Sequence, residues 1–497
     1  MKTGKSNFLT LPFDFAWWEL EPNVNNKKYF NNKVKEIELA YGKDNLLFNE
    51  SDNFHINYSL EGREVESAVD ILFKDLYSDK LYKTSEANIR NSIKGILANA
   101  FLSWQQYEGS GFVRIKRGNA DYNKTRYNPN ITKRNFVDVL DRLTKNKWIE
   151  YYPAIYFENQ YKGKIKFDRF TSRYRFKWDI YALLMANGVG YKNLEYVSEP
   201  IILKGKNNES SPKETIQLYR DTDKTKQMRT DLSKYNALLT KRHDMVIGGI
   251  WDKKGKEKSI TNYPKRFYYR IFTRNNFKCG GRFYGHWIVQ YPSIARKFVM
   301  FGGEPTRQLD YSACLLHIAY STLNLYFNSS EDLYAMVDED RAWVKAFCTI
   351  APNTNRLRTA CMQTIKELGL KWDKKNENRV YNLAHLISEA HDEVYKRYFF
   401  KGKDNGQVLT YHESAIANEV IMHFVNKGII ILVIHDGFIV EKKHSKELRR
   451  VMKSKWLNYF KTIGKMPSLP IIKEDLHVIE EDNPIQDISK VVLSNNN

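Results

Sequence analysis

The apolar positions change period several times along the chain, and the densest run lies near the C-terminal end. Residues Gly428 to Lys442 read GIIILVIHDGFIVEK. Ile429 to Ile434 is an unbroken apolar stretch, and Phe438 to Val440 is a second, shorter one. Two short β-rich runs around Asp-Gly predict a hairpin with Asp436 and Gly437 in the turn. A hairpin this apolar belongs in a core, yet it carries a carboxylate at its tip. Burying an unpaired carboxylate is costly, so Asp436 is expected to meet water, a cation or a metal. Taken alone, it reads as an ordinary solvated turn residue; a similar Asp upstream changes that.

Upstream, the pattern is helical before it is stranded. Residues 1–60 are aromatic and Asn-rich with no clean period, and no role follows for them; Trp17 and Trp18 read as core or docking residues. Glu64 to Tyr77 is helix-periodic, and Thr84-Ser85 offers an N-cap for a second helix. Phe112 to Arg117 alternates like a strand. KRNFVDVLDRLTKNK then places Phe136, Val139, Leu140 and Leu143 on one helix face, and two β-like segments follow (WIEYYPAIYF and KIKFDRFTSRYRFKW). Helix, helix, strand, helix and hairpin over 61–200 resembles a winged helix-turn-helix. In the DNA-binding form of that module a helix enters the major groove. Lys133 and Arg134 lie on that helix. Arg169, Arg173 and Arg175 alternate along the expected wing, and so share one face. Residues 201–265 read as a polar linker followed by a basic, thumb-like helix able to lie along a phosphate backbone.

Charge sharpens the picture. The 497 residues carry 79 Lys+Arg against 58 Asp+Glu, a formal net charge of +21. Such an excess favours a polyanionic partner, nucleic acid before an anionic membrane surface. Aromatic residues make up 14% and are spread through basic segments, which suits base stacking beside phosphate contacts. The Lys- and Asn-rich composition also has a bland reading, as a bias of the source. The four cysteines form no CxxC, so neither a zinc site nor a disulfide framework is suggested, and a reducing, cytoplasmic setting fits. No run reaches the roughly 18 apolar residues that span a bilayer, and no membrane role is expected.

Residues 266–497 hold the chemistry. CGGRFYG brings Arg282 directly after a two-glycine turn, and Gln290 and Arg296 follow. In TRQLDYSACLLHIA a short strand ends at Asp310, and Ser312 is placed to cap a helix from Ala313. Arg341 and Lys345 are one turn apart on a helix, a spacing that suits a triphosphate and equally suits a solvated basic face.

In this order the signals resemble the polymerase domain of family A DNA polymerases, the DNA polymerase I type related to single-subunit phage RNA polymerases. LDYSACLLHIA is similar to motif A, with its first metal-binding Asp. DRAWVKAF resembles the start of motif B on the fingers helix, and VIHDGFIV resembles motif C, with the second Asp. YHESAIANEVIMHF resembles the helix before motif C. The likeness covers roughly 265–450. It implies an α+β fold: a right-hand polymerase-like palm on an antiparallel sheet, helical fingers, and the N-terminal winged-helix-like domain. It implies Asp310, Asp436 and the Tyr311 carbonyl as ligands of two Mg²⁺ ions, with Mn²⁺ as substitute. It places Arg341, Lys345 and Leu315 at the incoming nucleotide, and Arg282, Gln290, Arg296 and His435 at the primer and template.

Three departures stand out. Gly437 occupies the place of the second motif C acid of DNA polymerase I, Asn353 that of the motif B Tyr, and Leu315 that of the motif A Glu which helps exclude ribose. The expected activity is DNA-directed DNA synthesis from a primer-template duplex and dNTPs, in a compact replication enzyme of a phage, plasmid or mobile element. RNA or rNTP use on the same palm, untemplated or protein-primed synthesis, and a non-catalytic DNA-binding replication initiator stay open as alternatives.

Overall fold

The computed structural model describes residues 28, 31–32, 35, 51–79, 84–107, 112–115, 122, 125–128, 130–161, 164–205, 215–240, 245–251, 257–260, 266–290, 296, 299–326, 332–402 and 404–475. Trp17, Trp18, most of 1–60 and most of the expected linker lie outside them. The chain is mixed α+β and divides into two compact units, one of residues 1–200 with 258–266, the other of 201–257 with 267–497. Among the described residues no helix is long and apolar enough to cross a membrane.

In the first unit, strands β1 (Ser51–Asn53) and β2 (Tyr58–Leu60) precede helices α1 (Arg63–Leu76) and α2 (Glu86–Tyr107). Helix α1 buries Val65, Ala68, Val69, Leu72 and Leu76, the stripe its period requires. Ser85 accepts from the Asn88 N–H at 3.4 Å as α2 begins. Strand β3 (Phe112–Arg114) is followed by α3 (Lys133–Lys145), which buries Phe136, Val139, Leu140 and Leu143. Then come β4 (Ile149–Tyr152), the antiparallel pair β5 (Ile155–Tyr161) and β6 (Lys164–Phe170), and β7 (Arg173–Phe176). The sheet order is β1–β3–β7–β4. Helix α4 (Trp178–Ala186) and β8 (Leu194–Tyr196) close the unit.

Strand β7 departs from expectation. It is an inner strand, and all four of its residues are buried. Arg173 donates to the Thr171 carbonyl at 2.8 Å; burial, and then the neighbouring Arg114 charge, hold it below the usual arginine range. Arg175 pairs with Glu150 at 2.7 Å and lies over the Phe112 ring. Alternation puts both guanidiniums on one face, but that face is covered, so neither lines an open wing. Arg169 is on β6, and its side chain lies outside what is described. Arg134 is exposed on α3 and Lys133 is partly so.

The second unit carries a four-stranded sheet and the main sheet. The first has the order β10–β9–β12–β13, from β9 (Ile201–Lys204), β10 (Ile216–Gln217), β12 (Tyr269–Thr273) and β13 (Asn276–Tyr284). The expected basic helix is α5 (Asp223–Thr240), which buries Met228, Leu232, Tyr235 and Leu239. Short helix α6 (Trp287–Gln290) follows β13. The main sheet includes β11 (Met245–Trp251), β14 (Val299–Phe301), β15 (Glu304–Tyr311), β16 (Ile431–Ile434), β17 (Gly437–Glu441) and β18 (Ile472–Asp475). Its order runs β11–β14–β15–β17–β16, with β18 also paired to β15. Helix α7 (Cys314–Thr322) follows β15. Then come α8 (Arg341–Ile350), α9 (Leu357–Glu367), α10 (Lys374–Ala390), α11 (Asp392–Tyr398), the long α12 (Asp404–Val425) and α13 (Ser445–Thr462).

Strands β16 and β17 are buried at every position, through the apolar runs Ile431–Ile434 and Phe438 to Val440 and also at Glu441, which ends β17. An end strand of a sheet exposes unpaired backbone groups. On β16 two buried tyrosines take up this role. The Tyr235 hydroxyl donates to the Ile431 carbonyl at 2.7 Å. The Tyr268 hydroxyl donates to the Val433 carbonyl at 3.0 Å and accepts from the Val433 N–H at 3.1 Å. The two rings stack with centroids 5.1 Å apart. Tyr268→Phe keeps the stack and strips both bonds from Val433. The expected cost is about 1–3 kcal/mol in denaturant unfolding; an unchanged midpoint would remove the hydroxyl from the account of this edge.

Candidate active site

The site begins with register. Asp310 near the end of β15 lies directly opposite Gly437, the first residue of β17. The β16–β17 connection is a two-residue turn of His435 and Asp436, with Ile434 paired to Gly437. The turn therefore centres one residue earlier than Asp-Gly suggested. His435, at φ 59°, supplies its left-handed residue, a conformation that histidine tolerates better than most side chains. Asp436 thus stands next to the cross-strand partner of Asp310. A Cβ at Gly437 would collide with Asp310 Oδ1, so the missing side chain lets the Asp310 carboxylate lie over that strand. Asp310 Oδ2 accepts from the Gln308 amide at 2.9 Å.

A third carboxylate comes from α12. Glu413 is buried and takes both nitrogens of the Arg282 fork, Nε at 2.7 Å and Nη2 at 2.6 Å. The Asp436 carboxyl is pushed up to about 7, first by burial, then by the negative charges of Glu413 and Asp310, with Arg282 working the other way. Burial disfavours the charge on Arg282, but the Glu413 carboxylate more than offsets this and holds Arg282 firmly protonated. Burial, with the charges of Asp436 and Glu413, also raises the Cys314 thiol well above its ordinary range. His435 is depressed to about 4, by burial first and then by Arg282. Its ring meets Tyr284 edge-on at 6.2 Å.

The two glycines before Arg282 do not make a turn. Gly280 and Gly281 lie inside β13 at φ 76° and 90°, where the pairing with β12 slips register. A Cβ on Gly281 would stand 2.6 Å from the Phe272 ring and 2.8 Å from Ser414 Oγ. Their absent side chains let α12 lie against the strand, with Ser414 donating to the Gly280 carbonyl at 3.0 Å. The hairpin turn is at Arg274 and Asn275, both at positive φ.

Helix α7 also starts differently from expectation. Ser312 does not cap it; Ala313, at φ 49°, stands at the cap position without a side-chain bond. Ser312 faces helix α8 instead, 3.3 Å from Arg341 Nη2. Arg341 opens α8, pairs with Asp332 at 2.7 Å, and lies over the Tyr334 ring. Lys345 is one turn on and exposed, with no ion pair among the described residues. Leu315 is half-buried on the first turn of α7. Tyr311 turns its ring into the core beside Trp456, its hydroxyl donating to the Met452 carbonyl at 2.8 Å, so its backbone borders the site. Arg296 contributes to the depression of His435. Gln290 ends α6, and its side chain lies outside what is described. Asn353 packs against Gly406 at the start of α12, where any side chain would overlap it.

The structure thus brings Asp310, Asp436, Arg282 and His435 together, and Arg341 beside Ser312. It adds Glu413, which the motifs did not single out. Its signal is visible in the chain: Leu409, Glu413, Ile416, Val420 and Phe424 share the buried face of α12, and an acid on such a face needs a partner. Among the described residues no three His, Cys, Asp or Glu side chains converge on one point. The donor set that fits a hard divalent ion is therefore Asp310 with Asp436, oxygen ligands whose mutual repulsion a cation relieves; Glu413 is committed to Arg282.

The Arg282–Glu413 pair predicts strong coupling. Glu413→Gln leaves the half-buried Arg282 guanidinium without its counter-charge, and about 3 kcal/mol of stability should be lost. Combining it with Arg282→Met should recover much of that loss in a double-mutant cycle. Additive losses would mean that the two groups are energetically independent.

No protein-family model matches the chain. No curated protein matches it either. Among solved structures, it is similar to the POL domain of Pol1 from M. smegmatis, in complex with DNA primer-template and dNTP, at 10% identity over 89% of this chain and 71% of that one, with a TM-score of 0.29.

Proposed function

We propose that the protein is a template-directed nucleotidyltransferase, a DNA polymerase that extends a 3′-hydroxyl. One observation carries this reading: Asp310 lies directly across from Gly437, the residue after Asp436, and the Asp436 carboxyl is pushed up to about 7 by burial and by the negative charges of Glu413 and Asp310. Nearby carboxylates arranged at such expense are a mark of functional sites. Asp310 and Asp436 would hold two Mg²⁺ ions, bordered by the backbone of Tyr311. When bound, such ions activate the attacking hydroxyl and stabilise the triphosphate as it is cleaved. Arg341 and Lys345, presented by α8, would take the triphosphate. Arg282, fixed by Glu413, and His435, kept neutral by burial, would border the primer terminus. The depressed His435 would donate or accept a hydrogen bond without adding a fixed charge.

The unit of residues 1–200 would grip duplex DNA. Lys133 and Arg134 on α3 support this, while Arg173 and Arg175 serve its core. A polymerase fused to such a module suits replication of a phage, plasmid or other mobile element.

Primer extension tests the catalytic reading. With a labelled primer-template, Mg²⁺ and dNTPs, wild type should extend. Asp310→Asn and Asp436→Asn should each lose roughly two to three orders of magnitude of rate. Extension indifferent to both substitutions would sink the assignment; products from rNTPs instead would move it to an RNA polymerase. For the DNA grip, Lys133→Ala with Arg134→Ala should weaken duplex binding and lower its salt slope by about 2. Arg173→Ala should cost stability instead, and a reversed pattern would return the contact to β7.

A further inference from the structure

Asp332 caps the 3₁₀ turn Leu333–Met336 that comes ahead of α8, in a stretch that offers no motif. Its Oδ1 accepts from the Tyr334 N–H at 3.2 Å and so pins the residue to the following 3₁₀ turn. Its Oδ2 meets donors from three elements. Arg341 Nε is at 2.8 Å and Nη2 at 2.7 Å, Lys473 Nζ is at 3.2 Å, and Ser312 Oγ is at 3.4 Å. Lys473 is on β18, paired directly across from Asp310. A single anionic oxygen is therefore gathered by a fingers arginine, a palm lysine and the hydroxyl two residues after the candidate metal ligand.

The exposures have a direction. The Asp332 side chain is 16% exposed, against 46% for Arg341 and 49% for Lys473. The carboxylate lies at the bottom, and both cations remain reachable from solvent. A half-exposed ion pair is held weakly. A polyphosphate brings several charges and can meet the guanidinium fork and the ammonium together.

We infer that Asp332 stands in for a substrate phosphate oxygen in the nucleotide-free protein, and that Lys473 is a third cation of the phosphate site beside Arg341 and Lys345. The inference rests on the polymerase reading of Arg341. Asp332 acts as a positioning residue. It keeps Arg341 and Lys473 facing one point, and an incoming nucleoside triphosphate displaces it from them. The exchange involves no covalent step. The Asp332 carboxylate yields its place to a phosphate oxygen of like charge.

The test separates this from a merely structural ion pair. Asp332→Asn retains an acceptor for the Tyr334 N–H and removes the competing charge. Inorganic tripolyphosphate and a dNTP are titrated in turn into the full-length protein. Asp332→Asn should bind both about three- to tenfold more tightly, and Lys473→Met should bind both about tenfold more weakly. In primer extension, KM for dNTP should follow these changes while KM for primer-template stays put. Asp332→Asn binding as weakly as Arg341→Ala would make Asp332 a structural prop and overturn the stand-in. Unchanged binding in Lys473→Met, which alters an exposed side chain, would overturn the third cation while leaving the polymerase reading intact. Wild type that binds no tripolyphosphate would overturn the whole phosphate site, and with it that reading of Arg341.

Discussion

The second unit depends on how three acidic side chains are accommodated in one partly buried place. Asp436 feels the negative charges of both Asp310 and Glu413, and Arg282 is the cation that acts on Asp436 and Glu413. Arg282 spends both faces of its fork on Glu413. That geometry has a cause several residues away. Gly280 and Gly281 have no side chains, α12 therefore lies against β13, and Glu413 on α12 comes within reach of the fork. With Glu413 paired to Arg282, burial and the negative charges of Glu413 and Asp310 still bear on Asp436. A protein that only needed stability would gain by replacing such a group with apolar residues. On the proposed reading, that cost is offset when a cation binds.

Much of the fold was legible because period and burial agree. The stripes of α1 and α3, the apolar runs of β16 and β17, and the place of Asp310 near a strand end were readable from the spacing of apolar residues. The failures have physical reasons. Gly280-Gly281 reads as a turn because two glycines usually make one, yet the turn falls at Arg274 and Asn275 and the glycines serve a helix packed from far along the chain. Ser312 reads as a cap because serine before an apolar run usually caps, yet its hydroxyl is taken by Arg341 and Asp332. Long-range partners override a local preference, and no window of sequence contains them. Asp332 and Lys473 were silent for the same reason, since their meaning lies in one shared oxygen.

The two arginines of β7 show a different limit. Period 2 correctly puts Arg173 and Arg175 on one face. It does not say whether that face is open. Strand β7 has neighbours on both sides, and Glu150 and the Phe112 ring receive Arg175. A basic run in a basic protein invites a reading as nucleic-acid contact. The guanidinium is also the cation that best tolerates burial when it is stacked and paired. Net charge therefore says which partner class to consider, and not which residues meet it.

Gly437 is where register constrains the chemistry most tightly. In the resembled DNA polymerase I pattern an acid stands at that position. Here any side chain at 437 would meet Asp310 Oδ1, because the two residues are direct cross-strand partners. An acid there would bring a second negative charge against Asp310 and displace its carboxylate from the place it holds over the strand. The two-carboxylate arrangement is thus a consequence of how β15 and β17 pair, and not a gap waiting to be filled. A site limited to two acids binds its cations with less negative charge. On the polymerase reading proposed above, more of the work of holding a triphosphate then falls on protein cations near Asp310. Lys473 is one residue across the sheet from Asp310 and already shares an anion with Arg341. The glycine at one end of the site and the extra lysine at the other are, on this argument, two parts of the same charge balance.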